Sequence, residues 1–287
     1  MTFEGKKVFV VGTGISGIGA AKLLIQENAD VVLFDGNDKL KPEDIKAKVG
    51  MPVKEVYVGS YPEGSEKEYD LLVISPGVPI DSELVLNFKG ADIPVWGEIE
   101  LAYHFDKGTL LAITGTNGKT TTTALLGKIM QDARESVFVV GNIGTPYTSK
   151  ALEMKENSTT VAEISSFQLE TIEQFRPKVS AILNITPDHL NRHHTMEAYI
   201  EAKENIAKNQ TEEDTCVMNY EDDVTRAFGE KINAKVLYFS SQRILEEGIY
   251  LENGEIILAL NGEKTDICNV NDLNILGTHN HENAMAA

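Results

Sequence analysis

Residues 114–122 have the sequence TGTNGKTTT, which lies between an apolar run at 110–113 and a helix-like segment from 119 to about 131. In a loop of this kind, backbone N–H groups and the start of the following helix attract phosphate oxygens. Lys119 would reach the outer phosphates of a nucleotide, and the Thr120 hydroxyl would bind Mg²⁺. The stretch therefore predicts a nucleotide-binding loop in an α/β domain.

The spacing of this loop differs from the usual phosphate-binding pattern, G-x-x-x-x-G-K-[ST], which would require a glycine at Ile113. The loop here starts from Gly115 and is shorter. A capped helix after a turn would also use glycine, but threonine is a poor helix former. The threonines at 120–123, in the first helical turn, therefore favour phosphate binding over a purely structural role.

The rest of the chain alternates short apolar runs with helix-like segments, which is the pattern of βαβ units on mostly parallel sheets. The predicted strands are residues 8–11, 31–34, 71–74, 93–96, 110–113, 136–140, 159–164 and 179–185, with a hairpin at 249–251 and 255–260. Pro94 suits a strand at the edge of a sheet. We predict an α/β protein with an N-terminal Rossmann-like parallel-sheet domain at 1–97 and a central P-loop ATPase-type domain at 98–287.

A second glycine-rich loop, VGTGISG at residues 11–17, follows the first predicted strand. Its G-x-G-x-x-G spacing permits a tight turn and a close approach of backbone N–H groups to a diphosphate. Asp35 ends the next strand, where an acidic residue can bind a ribose hydroxyl. We expect a nucleotide diphosphate here, and NAD and a UDP-sugar fit the pattern equally well. A tight strand-to-helix turn would need the same glycines.

The composition disfavours several classes of protein. The formal net charge of −18 is unfavourable for binding to nucleic acid or to an anionic membrane surface. No run is apolar enough for a signal peptide or a membrane span. The two cysteines cannot form a disulfide framework and lack metal-ligand spacing. We therefore expect a cytoplasmic globular protein that binds small molecules, with neither nucleic acid nor membrane among its partners.

Glu163 lies at the end of the predicted strand 159–164, at the same sheet edge as the phosphate loop. A carboxylate that closes an apolar strand is costly unless it is paired or ligated, and Mg²⁺ prefers oxygen ligands. We therefore expect Glu163 to join Thr120 at a Mg²⁺ site. The alternative is a carboxylate that stabilises the N-terminus of a helix.

Four segments resemble those of one known family. GTNGKTT at 115–121 resembles the ATP loop of the Mur ligases and of their folylpolyglutamate synthetase relatives. EISSFQL at 163–169, NITPDHLNRH at 184–193 and YIEAKENI at 199–206 are similar to further Mur ligase segments, although Asn191 stands where the family has an acid. The resemblance implies an enzyme that uses ATP to activate a carboxylate for attack by an amine.

The resemblance also implies two Mg²⁺ sites. His189 would bind the second ion, and Lys203 would carry a CO₂-derived carbamate whose oxygens bind metal. Taken without the resemblance, Lys203 is a solvated charge on an amphipathic helix, and His193 and His194 are expected to be loop residues. The predicted catalytic residues are Lys119, Glu163, His189 and Lys203. The predicted metal ligands are Thr120, Glu163, His189 and Lys203.

Three further segments imply substrate contacts. SPGVP at 75–79 and GNIG at 141–144 resemble family segments beside the UDP-muramoyl substrate, and GTHNHENA at 277–284 resembles an adenine-contacting one. A Pro-Gly turn and a helix N-cap are the structural alternatives. The predicted ATP-binding residues are Gly115, Thr116, Asn117, Gly118, Lys119, Thr120, Thr121, Asn280 and Asn283. The predicted UDP-substrate residues are Gly14, Ile15, Ser16, Asp35, Ser75, Gly77, Asn142 and His189.

The first glycine loop and SPGVP together indicate the D-glutamate-adding branch of the family. The resemblance implies an ADP-forming ligase of peptidoglycan synthesis, and hence of cell-wall growth and division, and we expect it to be a monomer. With ATP and Mg²⁺ it would join D-glutamate to UDP-N-acetylmuramoyl-L-alanine through an acyl phosphate. We expect the family's third domain, with the D-glutamate site, to be absent and the chain alone to be inactive. The alternatives are an L-alanine-adding ligase, an NAD-dependent oxidoreductase and a non-catalytic nucleotide-binding fragment.

Overall fold

The chain folds into two compact units in a computed structural model, which describes residues 2–273 and 277–287. The first unit comprises Met1–Lys107, Gly144–Lys155 and Phe167–Phe175. The second comprises Gly108–Ile143, Glu156–Ser166 and Arg176–Ala287. The chain thus contributes three segments to each unit. The simpler division into domains at 1–97 and 98–287 stays a prediction.

The first unit is built on a parallel sheet. Its strands are β1 (Lys7–Val11), β2 (Asp30–Asp35), β3 (Glu55–Val58), β4 (Leu71–Ile74) and β5 (Val95–Gly97). Its helices are α1 (Ile15–Gln26), α2 (Pro42–Val49), α3 (Glu83–Gly90) and α4 (Glu98–Tyr103). Within the described part of the chain the five strands lie in the order β3-β2-β1-β4-β5. Apolar side chains of β1, β2, β4 and α3 pack together as its core, among them Phe9 and Phe88.

The second unit carries a larger mixed sheet. Its strands are β6 (Thr109–Thr114), β7 (Val137–Gly141), β8 (Thr159–Glu163), β9 (Val179–Ile182), β10 (Thr215–Asn219), β11 (Lys235–Ser240), β12 (Gly248–Glu252), β13 (Glu255–Leu260) and β14 (Glu263–Asn269). The helices from residue 108 onward are α5 (Lys119–Ala133), α6 (Ser166–Leu169), α7 (Leu190–His193), α8 (Met196–Glu204), α9 (Asp223–Gly229) and α10 (His279–Ala286). Among the described residues the strand order is β14-β13-β12-β11-β10-β9-β6-β8-β7, parallel from β7 to β12 and antiparallel beyond.

The strand orders determine where binding loops meet. In the first sheet β1 lies between β2 and β4. The strands β2 and β3 are therefore added on one side of β1, and β4 and β5 on the other. Ligands of parallel α/β sheets bind at the carboxyl ends of the strands beside such a change of side. In the second sheet β6 lies between β8 and β9, so the loops after these three strands share one edge. Both predicted glycine loops therefore lie at binding edges.

The α/β class and the predicted strands are confirmed, with bounds that differ by up to three residues. β5 begins just after Pro94 and lies at a sheet edge, as the proline indicated. β3, β10, β11 and β14 were not predicted. No helix in the described parts of the chain is both long and apolar enough to cross a membrane.

Candidate nucleotide and metal sites

The loop between β6 and α5 has a backbone that only glycine adopts easily at two positions. Gly115 has a φ of +153° and Gly118 a φ of +87°. A Cβ at Gly118 would lie 2.1 Å from Asn283 Oδ1, so a side chain there is excluded by space as well as by conformation. Because neither glycine has a side chain, the loop backbone is left uncovered at the positions where a phosphate would bind.

Asn184, which follows β9, fixes the tip of this loop. Its Oδ1 accepts a hydrogen bond from Asn117 N at 2.8 Å, and its Nδ2 donates to Asn117 O at 3.0 Å. Thr116 N donates to Asn184 O at 2.9 Å. Three hydrogen bonds to one residue hold the loop in a single shape before any ligand binds. The sequence placed Asn184 in a family segment but gave it no role.

Two lysines converge on one carbonyl of the loop. Lys119 Nζ donates to Gly115 O and to Thr116 O, both at 2.9 Å, and Lys203 Nζ donates to Gly115 O at 2.7 Å. Lys203 lies in α8 and is only 2% exposed. Burial first, and then the nearby Lys119 charge, lowers the pKa of Lys203 to about 7. Burial also lowers the pKa of Lys119. Lys119 thus places a cationic group at the loop, which suits a polyphosphate.

Glu163, the last residue of β8, is a buried carboxylate with one oxygen unused. Its Oε1 accepts from Asn142 Nδ2 at 3.0 Å, whereas Oε2 has no hydrogen-bond partner among residues 2–273 and 277–287. A buried oxygen without a donor is costly unless a cation ligates it. The donor set therefore fits Mg²⁺, with the exposed hydroxyl-bearing residue Thr120 at the start of α5. Within the same described ranges no three His, Cys, Asp or Glu side chains cluster as metal ligands.

His189 and His193 have opposite environments. His189 has a left-handed φ of +51°, its side chain is 51% exposed, and its Nε2 lies 3.4 Å from Asp188 Oδ2. His193 ends α7, is buried, and has its Nε2 2.9 Å from Ser166 Oγ. Burial lowers the pKa of His193 to about 4. The expectation that His193 is a loop residue was wrong: it packs inside the second unit as a neutral imidazole.

A cavity of about 450 Å³ opens beside the phosphate loop. Asn280 and Asn283 of α10 line it, and Asn283 Nδ2 donates to Asn280 Oδ1 at 2.8 Å. Apolar and polar residues that the sequence did not single out also line the cavity, namely Leu183, Phe239, His279 and Glu282. An apolar wall with amide groups suits a nucleotide base. Phe239 was missed because an aromatic residue in a strand is most often part of a core.

In the first unit, the loop after β1 is fastened to Asp35. Thr13 donates to Asp35 Oδ2 from its backbone N at 2.9 Å and from its Oγ1 at 2.6 Å. Burial raises the pKa of Asp35, but hydrogen bonds from Thr13 and Asn37 outweigh it, so the net shift is downward. Gly17 is required here because a Cβ would lie 1.8 Å from Gly12 O. Asp35 thus holds the loop, in addition to any contact with a ribose.

The loops after β1 and β4 lie side by side. A Cβ at Gly12 would lie 2.6 Å from Ser75 Oγ, and this buried hydroxyl has no hydrogen-bond partner within the described ranges. Gly14 and Ile15 are exposed at the start of α1 and line a cavity of about 440 Å³ in this unit. Gly77 is also exposed.

The predicted residues divide between the two units. Gly14, Ile15, Ser16, Asp35, Ser75 and Gly77 belong to the first unit. Asn142 and His189 belong to the second, as do all the predicted ATP and metal residues. In the second unit hydrogen bonds join Lys119 and Lys203 to the carbonyl of Gly115, and Lys119 also to that of Thr116. A separate hydrogen bond joins Asn142 to Glu163. Asn283 lies against Gly118.

Comparison with known proteins shows what the chain is similar to. The family model of the Mur ligase middle domain matches residues 113–287, and that of the Mur ligase MurD-like, N-terminal domain matches residues 6–97. The UDP-N-acetylmuramoylalanine--D-glutamate ligases of Lachnoclostridium phytofermentans and Lachnospira eligens are 56% and 57% identical to it over 288 residues. These alignments cover 100% of this chain but 63% and 64% of the relatives, so the chain spans less than two thirds of their length.

Two solved structures share the fold at low sequence identity. The UDP-N-acetylmuramate:L-alanyl-gamma-D-glutamyl-meso-diaminopimelate ligase from Neisseria meningitides has a TM-score of 0.60 at 18% identity, covering 98% of this chain and 91% of that chain. UDP-N-acetylmuramate-alanine ligase MurC from Thermotoga maritima has a TM-score of 0.52 at 24% identity, covering 98% and 63%. The middle-domain model matches more than half of the chain, and the family resemblance seen in the loops is thereby confirmed: the chain belongs to the Mur ligase family.

Proposed function

We propose that this chain holds ATP and UDP-N-acetylmuramoyl-L-alanine in an ADP-forming ligase that adds D-glutamate during peptidoglycan synthesis. The observation that carries the proposal is the phosphate loop, where the amino groups of Lys119 and Lys203 both donate to the carbonyl of Gly115. At the end of the neighbouring strand β8, Glu163 has a buried oxygen without a hydrogen-bond partner among the described residues. Two relatives at 56% and 57% identity are named as this ligase. A cytoplasmic location and a monomeric state are parts of the same proposal.

The second unit is proposed to bind ATP. The triphosphate would lie against the N-terminus of α5, where the helix dipole and free N–H groups favour anions. Lys119 would then exchange its two carbonyl acceptors for phosphate oxygens, a stronger, charge-assisted interaction. The base would enter the cavity lined by Asn280, Asn283 and Phe239. Gly115, Thr116, Asn117, Gly118, Thr120 and Thr121 would supply the remaining contacts to the phosphates.

The first unit is proposed to bind the UDP part of the muramoyl substrate. Gly14 caps α1, and Ile15 and Ser16 begin it, so their N–H groups suit the diphosphate. The buried Ser75 hydroxyl lies beside Gly12 without a hydrogen-bond partner in the described ranges, and we propose that it donates to a ligand oxygen. Asp35 and Gly77 complete the contacts proposed for the first unit. Asn142 and His189 are proposed separately as substrate contacts of the second unit.

The proposed reaction has two steps. An oxygen of the alanine carboxylate attacks the γ-phosphorus of ATP, and ADP leaves, which gives an acyl phosphate. The amine of D-glutamate then attacks the acyl carbon, phosphate leaves, and the nitrogen loses a proton to give the amide. Lys119 would offset charge on the transferred phosphoryl group. Bound Mg²⁺ would supply further charge neutralisation at the phosphate oxygens. Glu163 and Thr120 would hold one ion, and His189 and Lys203 a second.

Lys203 is proposed to react with CO₂. Its nitrogen must be a neutral amine to attack the carbon of CO₂, and burial, by lowering the pKa of Lys203 to about 7, favours this neutral form. Loss of a proton then gives a carbamate, which replaces a buried cation by an anion. Carbon-13 NMR of the chain in labelled bicarbonate should show one carbamate signal that Lys203→Met removes. A spectrum with no such signal, or with one that survives the substitution, would remove this part of the proposal.

Calorimetric titration of the chain tests the substrate assignment. We expect binding of UDP-N-acetylmuramoyl-L-alanine and none of NAD. Gly17→Ala should abolish binding because its Cβ would overlap Gly12 O. Gly90→Ala is the matched control, because Gly90 also lies in a helix of the first unit and no described heavy atom lies within 4 Å of its added Cβ. Tighter binding of the muramate without alanine would favour an L-alanine-adding ligase instead. Binding of NAD would refute the assignment of the first unit.

A further inference from the structure

We infer that Glu282 is a positioning residue of the base cavity, a role that rests on the proposed ATP binding. Glu282 lies in α10, between the two asparagines that line the cavity. Its carboxylate joins α10 to the ends of two strands, and so fixes the direction in which Asn280 and Asn283 present their amides.

The carboxylate spans two neighbouring strand ends. Glu282 Oε1 accepts from Ser241 Oγ at 2.6 Å, and Oε2 accepts from Asn219 Nδ2 at 3.4 Å. Asn219 is the last residue of β10, and Ser241 directly follows β11. Asn219 is itself held, because its Oδ1 accepts from Glu221 N at 2.9 Å. The tether therefore ends on groups that are fixed to the sheet.

The helix that carries the base contacts depends on such tethers. α10 has only eight residues, and a helix of that length is not stable by itself in water. Asn283 is buried against the phosphate loop, with its Oδ1 over Gly118 and its carbonyl 3.5 Å from Thr122 Oγ1. A rotation or tilt of α10 would therefore change how the amides of Asn280 and Asn283 face the base cavity.

A second role for Glu282 has to be separated from the first. An acidic side chain in the first turn of a helix stabilises it through the helix dipole, wherever its oxygens point. Glutamine removes the charge but keeps the tether, because its Oε1 can accept from Asn219 and its Nε2 can donate to the Ser241 hydroxyl. Alanine removes both. The pair Glu282→Gln and Glu282→Ala thus distinguishes the tether from the charge.

The test is calorimetric binding of two probes to the 287-residue chain in the presence of Mg²⁺. ADP contacts both the base cavity and the phosphate loop, whereas inorganic tripolyphosphate contacts only the loop. We expect Glu282→Ala to weaken ADP binding roughly tenfold or more, as for a lost charge-assisted hydrogen bond. Tripolyphosphate binding should change by less than about twofold, and Glu282→Gln should restore most of the ADP affinity. Glu263→Ala, an exposed glutamate of β14, is the matched control.

A partner substitution gives independent support. Ser241→Ala should weaken ADP binding in the same direction, and the double variant with Glu282→Ala should bind no more weakly than Glu282→Ala alone. Ser241→Ala also serves if Glu282→Ala does not fold. Equal losses for ADP and tripolyphosphate, an unchanged ADP affinity, or a glutamine variant as weak as alanine would each overturn the inference. If the unsubstituted chain binds neither probe, the proposed nucleotide site is wrong and the inference falls with it.

Discussion

Replacing Gly118 with alanine should destabilise the phosphate loop, and the structure gives two contributions to the free-energy cost. The φ of +87° costs an alanine about 1–2 kcal/mol. The new Cβ would also lie 2.1 Å from Asn283 Oδ1, so Asn283 must move. Its hydrogen bond to Asn280 contributes about 0.5–1.5 kcal/mol. We therefore expect Gly118→Ala to destabilise the second unit by about 1.5–3.5 kcal/mol.

Gly262→Ala is the control for this substitution. Gly262 has a φ of +78° in the same unit, but no described heavy atom lies within 4 Å of its added Cβ. It should therefore carry the conformational cost alone, about 1–2 kcal/mol. The difference between the stability losses of the two variants gives the cost of the overlap with Asn283.

Hydrogen exchange followed by mass spectrometry is the suitable assay, because the single tryptophan, Trp96, belongs to the first unit and does not report on the second. The slowest amides of β6 should exchange roughly 10- to 400-fold faster in Gly118→Ala and roughly 5- to 30-fold faster in Gly262→Ala. ADP affinity should fall in the first variant only. Equal exchange rates together with equal ADP affinities in the two variants would refute the argument from the overlap.

Three further substitutions test the second unit. Lys119→Ala should weaken ADP binding by at least about tenfold, since it removes a charged donor; an unchanged dissociation constant would remove Lys119 from the phosphate site. Glu163→Gln keeps an acceptor for Asn142 but lowers the charge of the proposed metal site, so we expect the Mg²⁺ dependence of ADP binding to weaken while binding without Mg²⁺ does not. His193 has a pKa lowered to about 4 from an ordinary value near 6.5, so its contribution to stability is present above pH 6.5 and is lost as the pH falls toward 4. Hydrogen exchange should then show a smaller loss of stability over this pH range in His193→Gln than in the unsubstituted chain, and identical pH profiles would contradict the assignment.

Two of the four unpredicted strands, β3 and β14, were missed because few of their side chains are buried. β14 was missed because most of its side chains are exposed, so its sequence has no apolar alternation. β3 has one fully buried residue, Val56, and gives an equally weak signal. β14 is a strand because it pairs with β13, and β3 because it pairs with β2. These are long-range facts that no local pattern contains.

The roles of charged and polar residues were harder to predict than the positions of strands, since burial in the folded chain determines their pKa values and contacts. Lys203 has the pattern of a solvated lysine on an amphipathic helix, and the family resemblance alone singled it out. Its low pKa arises because α8 packs it against a loop that is 88 residues distant in sequence. His193 was set aside as a loop residue for the same reason. Its neighbours in the chain do not reveal that it is buried beside Ser166.

The arrangement of the proposed metal site depends on strand order more than on the strands themselves. Glu163 pairs in register with Ile113, two residues before Gly115, because β8 lies directly beside β6. Asn184 reaches the loop tip because β9 lies on the other side of β6. The sequence places each of these residues just at or after the end of a strand, but many strand orders are compatible with that pattern. Only the order β9-β6-β8 brings a carboxylate and an amide to opposite sides of one phosphate loop. The chemistry proposed here is therefore a property of the sheet's topology as much as of the residues that the loops contain.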